Sequence, residues 1–345
     1  MPVVRLRPEH VSAAARCSFL GSMLALTLAL VTPLAAAAPL SFVPWRADYH
    51  VHIRSPAAYE ALLAMCKKYG DCTLPKPGVV TAKDAIEALD EAHVEQGIVL
   101  SLGFYFGSPA AADQHYDVAR LTRAENEYVA QQVATSRGRL IGFFSVDPLS
   151  ANALGEINYW SRDGRLKGLK LHFANSQVNM LDAKQVKQVA AVIGLAGEKN
   201  LPMVIHLATS ADYSTAEAES FIRDVLPHAG NAWVQIAHSA TFGGEDKVNL
   251  NGLRAFAAHI ARNDPATRHV MFDISEAITP KTSPEDAAAF VAVMRQIGVS
   301  KFLPGSDFNG QTPKAVDEMD RRILPLNDAE WHTVALNCAP WLCTH

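Results

Sequence analysis

The sequence predicts an α/β fold, a single (β/α)8 TIM barrel with a long lid after its first strand. Three observations carry that expectation. Short apolar runs alternate with helix-period stretches eight times between Ala47 and Asp307, and no stretch between them reads as a linker. The runs are rich in Val, Ile, Leu and Phe over their whole length, the mark of parallel strands covered on both faces. Histidines, a lysine and an aspartate stand at the C-terminal ends of these runs, where barrels of this kind place their active sites. An open doubly wound sheet is the competing architecture, but the Gly-rich phosphate loop usual after its first strand is absent after His52.

Composition agrees with one large folded domain. Hydrophobic residues make up 49% and charged residues 19%, enough for a substantial core and unlike a disordered chain. The net charge of −4 offers no basic footprint, which excludes nucleic acid as the expected partner.

The chain opens with Arg5, Arg7 and Arg16 ahead of an apolar run from Phe19 to Leu34, then Ala35-Ala36-Ala37. Basic, apolar and small-residue regions in that order read as a secretory signal peptide over residues 1–37, cleaved after Ala37. A membrane anchor is the rival, since the run is nearly long enough to span, but the Ala-rich end followed by Pro39 favours cleavage. The mature domain is then 38–345, periplasmic or secreted, with no stable membrane anchor. Losing three Arg and one Glu moves its net charge from −4 to −6.

Ala47-Asp-Tyr-His-Val-His-Ile53 is the first strand, and its period of two sends His50 and His52 to one face with Asp48 below them. Arg54 to Thr81 is too long for an ordinary connection; Tyr59 to Tyr69 looks helical, and the whole reads as a partly structured lid. Thr81 caps the amphipathic helix that follows, which leads to the strand Gly97 to Leu102. Helix Leu121–Ser136 precedes strand Leu140–Val146, and Leu166–Phe173 is the fourth strand. Helix Ala183–Lys199 precedes Pro202–His206, and a helix ending near Pro227 precedes Trp233–His238. Helix Leu253–Arg262 leads into His269–Ser275, and helix Pro284–Gln296 into Lys301–Asp307.

Cys17 leaves with the leader, and Cys66, Cys72, Cys338 and Cys343 remain. An even number in an exported chain suggests disulfides, and the short separations favour Cys66–Cys72 and Cys338–Cys343.

Polar residues mark the mouth at five strands: His50 and His52, Lys170 and His172, His206, His238, and Asp307. Buried imidazoles and charges must be paired or metal-bound, so their agreement on one end of the barrel points to a metal site. The ordered set His50-Val-His52, Gly168-Leu-Lys-Leu-His172, Met203-Val-Ile-His206, Ile236-Ala-His238 and Gly305-Ser-Asp307 resembles the amidohydrolase superfamily. It is similar in particular to the branch of aminocarboxymuconate semialdehyde decarboxylase and related metal-dependent hydrolases, over almost the whole mature chain.

That resemblance implies one divalent metal, most often Zn2+, held by His50, His52, His206 and Asp307. His238 would stand free of it as an acid/base or carbonyl-polarising residue, with Asp307 also handling a proton. Such a set leaves a position open for water, whose pKa the metal would bring to roughly 7. In other branches a strand-four lysine is carboxylated and bridges two metals; the residues for that arrangement exist here around Lys170. In the branch resembled, an uncarboxylated lysine paired with a carboxylate such as Asp48, or lying against substrate, is usual. Lys170, His172 and Arg54 are the substrate candidates, Asp48 a support behind the metal ligands. Phe104-Tyr105-Phe106 would line a pocket or pack the lid, and Asp273 and Glu276 lie at the mouth without a role.

The first functional expectation is an exported hydrolase using a metal-activated water on a small ester, lactone or amide. The second keeps the site but breaks a C–C bond, as a non-oxidative decarboxylase of a small carboxylic acid. A decarboxylase needs a cation to seat the carboxylate, and Arg54 is the candidate. A non-catalytic metal or solute binder is disfavoured, because His238 and an open coordination position serve chemistry. A small molecule is the expected partner, and a homodimer is left open.

Overall fold

The computed structural model describes residues 42–69, 77–109, 114–308 and 311–343. The expected leader, 1–37, lies outside the described residues, as does Cys72. Eight parallel strands run in the order β1-β2-β3-β4-β5-β6-β7-β8. They are β1 Ala47–Val51, β2 Gln96–Leu100, β3 Leu140–Ser145, β4 Gly168–His172, β5 Met203–His206, β6 Val234–Ile236, β7 Val270–Asp273 and β8 Phe302–Leu303. The β8 end returns to β1: Tyr49 N–H donates to Pro304 O at 3.0 Å, His52 N–H donates to Phe308 O at 2.8 Å, and Val51 bridges Phe308. The sheet thus closes into a nearly complete (β/α)8 barrel.

Helices α1 Pro56–Tyr69, α2 Ala82–Glu91, α3 Val118–Ala134, α4 Ala153–Asp163, α5 Ala183–Glu198, α6 Thr215–Ser220, α7 Asn251–Ala261, α8 Pro284–Ile297, α9 Pro313–Ile323 and α10 Asp328–Leu336 alternate with the strands. Their ends are written locally. Thr81 starts α2 with a reciprocal capping box to Asp84, as its sequence position suggests, and Ser283 caps α8 with Pro284 at the first helical position. Outward strand residues such as Val51, Leu169, Ile205 and Phe272 join the helices in the outer core. Inward residues form a second cluster along the barrel axis, including Tyr49, Ile98, Leu100, Phe143, Val204 and Met271.

Strand β1 departs from simple alternation. Its pairing with β2 shifts register between Asp48 and Val51. Tyr49 therefore joins the inner cluster, and Asp48 does not sit below the two histidines on one continuous face as alternation predicted. Asp48 instead pins the irregularity, accepting the His50 N–H at 3.1 Å, the Ser306 N–H at 3.0 Å and a short bond from the Ser306 hydroxyl. Bulges of this kind beside active sites re-aim side chains.

The Cys338–Cys343 disulfide forms as expected, with Cα atoms 6.0 Å apart. The expected Cys66–Cys72 staple involves Cys72 and so lies outside the described residues. Helix α1 occupies the start of the expected lid, and 70–76 lie outside the described residues. No helix among the described residues is long and apolar enough to cross a membrane.

Candidate metal centre

The mouth gathers His50 and His52 from β1, Lys170 and His172 from β4, His206 from β5, and His238, Asp273 and Asp307 from the ends of β6, β7 and β8. His52 Nδ1 donates to Leu100 O at 2.7 Å, so its Nε2 carries a lone pair. His50 Nδ1 lies 3.3 Å from Asp273 Oδ2, which leaves a lone pair on its Nε2, where Lys170 Nζ approaches to 3.3 Å. The two Nε2 atoms are 3.2 Å apart. Two lone pairs facing each other at that distance favour a positive charge beside them. Asp307 Oδ1 completes the group, 3.4 Å from His52 Nε2 and 3.8 Å from His50 Nε2.

His206 supplies an independent sign that the site suits an electrophile. Its Nε2 is buried and has no hydrogen-bond partner among the described residues. Burial holds its pKa well below the ordinary range, and pushes His52 down to about 3, so both are neutral donors near pH 7. Burial alone would raise Asp307, but His50, His52, His238 and Lys170 together hold it below its usual range and ionised. Neutral imidazoles, an ionised carboxylate and an orphaned buried nitrogen fit a divalent metal. His50, His52 and Asp307 each bring a ligand atom within 4.8 Å of the others, with His206 the expected fourth, and an ion there would supply Lewis acidity to a bound substrate oxygen.

His238 stands just past β6 on left-handed backbone, with φ of 52° at His238 and 53° at Ser239. Neither is glycine, so the neighbours must hold this turn. Asp273 Oδ1 accepts the His238 N–H at 3.0 Å, and the Ser239 hydroxyl donates to Asp273 O at 2.8 Å. His238 Nδ1 donates to Ser275 O at 2.7 Å, leaving Nε2 bare and 3.8 Å from Asp307 Oδ2. Burial lowers its pKa to about 4, so it waits as a neutral base.

Asp273 is the functional residue that sequence reasoning placed without a role. It contacts His50 and His238 N, and accepts from Gln235 Nε2 at 2.6 Å and from the Ser275 hydroxyl at 2.5 Å. Its strand-end position was visible in sequence; the supports Gln235 and Ser275 carry no local signal. His50 and His238 can also meet with Asp273 as a triad of metal-binding type. In that triad the Nδ1 atoms of His50 and His238 are already engaged, by Asp273 and the Ser275 hydroxyl and by Ser275 respectively. Gly305 lets β8 close on this wall, because a Cβ there would lie 3.1 Å from His50 Cβ and 3.2 Å from Ser275 Cβ.

The substrate candidates divide. Lys170 is buried with Nζ 3.3 Å from His50 Nε2, inside the group and not beside Asp48; burial lowers its pKa to about 8. His172 lies flat on His206, with ring centroids 3.9 Å apart and planes 13° from parallel, and Asn175 meets both its ring nitrogens. Arg54 is buried at the mouth, its Nε donating to Gly78 O at 2.7 Å. Its guanidinium carbon lies 5.4 Å from the centroid of the Tyr59 ring. Phe104 and Phe106 pack against Ala58 and Ala61 of α1, while Tyr105 meets Leu62 and Met65. Glu276 adjoins Asp307; burial and then that charge raise it to about 8.

A parallel barrel that gathers these donors at its C-terminal mouth defines a metal-dependent enzyme of the amidohydrolase superfamily. A profile of the family described as amidohydrolase matches residues 47–330, and the chain belongs to that family. No curated protein matches the sequence. Among solved structures it resembles 2,6-dihydroxybenzoate decarboxylase from Rhizobium at 12% identity and TM-score 0.60, over 87% of this chain and 98% of that one. It also resembles 5-carboxyvanillate decarboxylase from Novosphingobium aromaticivorans, solved with bound manganese, at 13% identity and TM-score 0.54, covering 87% and 97% of the two chains. A probable 2-pyrone-4,6-dicarboxylic acid hydrolase from Acinetobacter baumannii gives 14% identity and TM-score 0.54, covering 85% and 97%. These likenesses are of fold.

Proposed function

We propose that this enzyme is a non-oxidative decarboxylase of a small carboxylic acid, working with one divalent metal. The observation that carries the reading is Arg54, a guanidinium buried at the mouth two residues beyond His52, with its Nε held by Gly78 O. A planar cation there suits a substrate carboxylate. The decarboxylases among its structural relatives support the same choice. The hydrolytic reading placed first from sequence takes second rank: it needs no buried cation, although the relative described as a dicarboxylic acid hydrolase keeps it in view.

In this reading Arg54 holds the carboxylate and the metal ligands orient the acid. The C–C bond breaks, CO2 leaves, and the carbon keeps the electron pair and takes a proton. Asp307, ionised among the imidazoles, accepts a proton from substrate or solvent and returns it to that carbon. His238, its Nε2 bare and turned toward Asp307, is placed to relay it. Three imidazoles and one carboxylate suit Zn2+, with manganese the alternative suggested by one relative. The leader is proposed to send the enzyme out of the cytoplasm.

The deciding experiment loads the protein with Zn2+ or Mn2+ and profiles it on carboxylated phenols and other small acids, and on esters, lactones and amides. Release of CO2 from an acid supports the proposal. Turnover confined to esters, lactones or amides would return the hydrolytic reading to first place.

A further inference from the structure

The floor of the barrel lies opposite the metal centre and is closed by the chain's C-terminal end. Past α10 the chain turns under the strands, with Asn337 Nδ2 donating to Ser300 O and Phe302 O at 2.7 Å each. The six residues Cys338-Ala-Pro-Trp-Leu-Cys343 then form a small disulfide-closed loop. Ala339 is wholly buried in the inner barrel cluster, and Trp341 and Leu342 pack against it. Trp341 meets Tyr49 edge-on with ring centroids 6.0 Å apart, and Phe143 at 5.2 Å. The loop is the bottom layer of the barrel interior.

Tyr49 connects this loop to the metal side. Its hydroxyl oxygen accepts the Ala339 N–H at 2.9 Å, and its O–H lies 3.5 Å from Cys338 Sγ. Tyr49 immediately precedes His50, inside the stretch where β1 slips register. Its carbonyl accepts from Gln235 Nε2 at 3.1 Å, and the same amide donates to Asp273 Oδ2, the oxygen that faces His50 Nδ1. Floor, bulge and metal centre therefore share one run of contacts: Ala339, Tyr49, Gln235, Asp273, His50.

We propose that the Cys338–Cys343 loop is a covalently closed plug that sets the position of His50 through Tyr49, so that opening the disulfide weakens metal binding at the other end of the barrel. Tyr49 is a positioning residue in this scheme and touches no substrate. The physical reason is that a closed six-residue loop presents Ala339 and Trp341 as one rigid wedge. A reduced loop is free to swing out, and the bulge then loses its lower support. Cys338 and Cys343 are only half-buried and Pro340 between them is exposed, so a small thiol can approach the disulfide. Exchange with two thiols leaves Cys338 and Cys343 as two protein thiols and releases one external disulfide, which balances electrons and protons.

The inference rests on His50 as a metal ligand, and the test separates the two claims. The affinity of the whole mature protein for Zn2+ and Mn2+ is measured by competition with a chromogenic chelator, for the wild type, Cys338→Ser/Cys343→Ser and Tyr49→Phe. The double variant, with unchanged far-UV circular dichroism, is expected to bind metal at least threefold more weakly. Tyr49→Phe keeps the disulfide and the ring but loses the acceptor for Ala339, and is expected to shift affinity in the same direction by less. A lower melting temperature with metal affinity unchanged would make the loop a simple brace and overturn the proposal. Should the double variant fail to fold, unchanged affinity in Tyr49→Phe overturns it alone. A wild type that binds no metal would defeat the metal centre itself.

Discussion

Asp273 and His50 meet back to front: the carboxylate faces Nδ1 at 3.3 Å while Nε2 points into the cluster of donors. That contact selects the His50 tautomer and gives the ring one orientation, as outer hydrogen bonds do for metal-binding histidines. Burial alone would raise the Asp273 pKa, but the His50 and His238 rings and their hydrogen bonds hold it well below the usual carboxylate range.

Asp273→Asn is therefore expected to weaken metal binding or activity by about ten- to a hundredfold, the usual cost of losing such a partner. The variant keeps an acceptor for the His238 N–H, so the fold should survive. Metal titration together with circular dichroism checks both halves.

His206→Ala should lose metal and activity together, since it removes a mouth imidazole whose buried Nε2 has no hydrogen-bond partner among the described residues. His238→Ala should keep close to one metal per chain and lower turnover by roughly a hundredfold or more. Elemental analysis of the wild type and both variants reads this out. Two metals in the wild type, one of them lost in His238→Ala, would instead place a carboxylated Lys170 between them.

Arg54→Met is expected to raise KM for a carboxylic acid substrate about tenfold or more, in line with the loss of a charge-assisted pair. Turnover of an uncharged ester or lactone, if any, should hardly change. Equal losses on both classes would mean that Arg54 supports the fold rather than the carboxylate.

Glu125 offers a pH test away from the metal. It accepts from the Ser55 N–H at 3.3 Å and makes a short bond to the Ser55 hydroxyl, and burial pushes it from 4.5 up to about 7. Between those values the unfolded chain has ionised while the folded one keeps its proton. The wild type therefore loses stability as pH rises from 4.5 to 7, on the order of 3 kcal/mol. Glu125→Gln should flatten that fall. Thermal unfolding of chelator-treated protein across the window measures it, and parallel profiles for the two proteins would contradict it.

Protein recovered from an exporting bacterial host should begin near Ala38 by N-terminal sequencing. A chain that keeps Met1 and fractionates with membranes would make residues 1–37 an anchor.

Much of the barrel was legible because its signals are local. Eight apolar runs, the Thr81 cap and the strand-end positions of His50, His52, Lys170, His206 and Asp307 all follow from period and neighbours within a few residues. The five-residue separation of Cys338 and Cys343 was equally local, and that disulfide formed. The tertiary structure decided what pairs across the chain. Alternation put Asp48 under the histidines, yet the register shift in β1 turned Tyr49 inward and set Asp48 against Ser306, 258 residues away. Asp273 reaches His50 across 223 positions, and Ala339 reaches Tyr49 across 290. No periodicity records such contacts, because a strand's pattern names its buried faces but not the neighbour that fills them. Closing the barrel brings β1, β7, β8 and the C-terminal loop together, and that proximity chooses which nitrogen of His50 faces the cluster of donors.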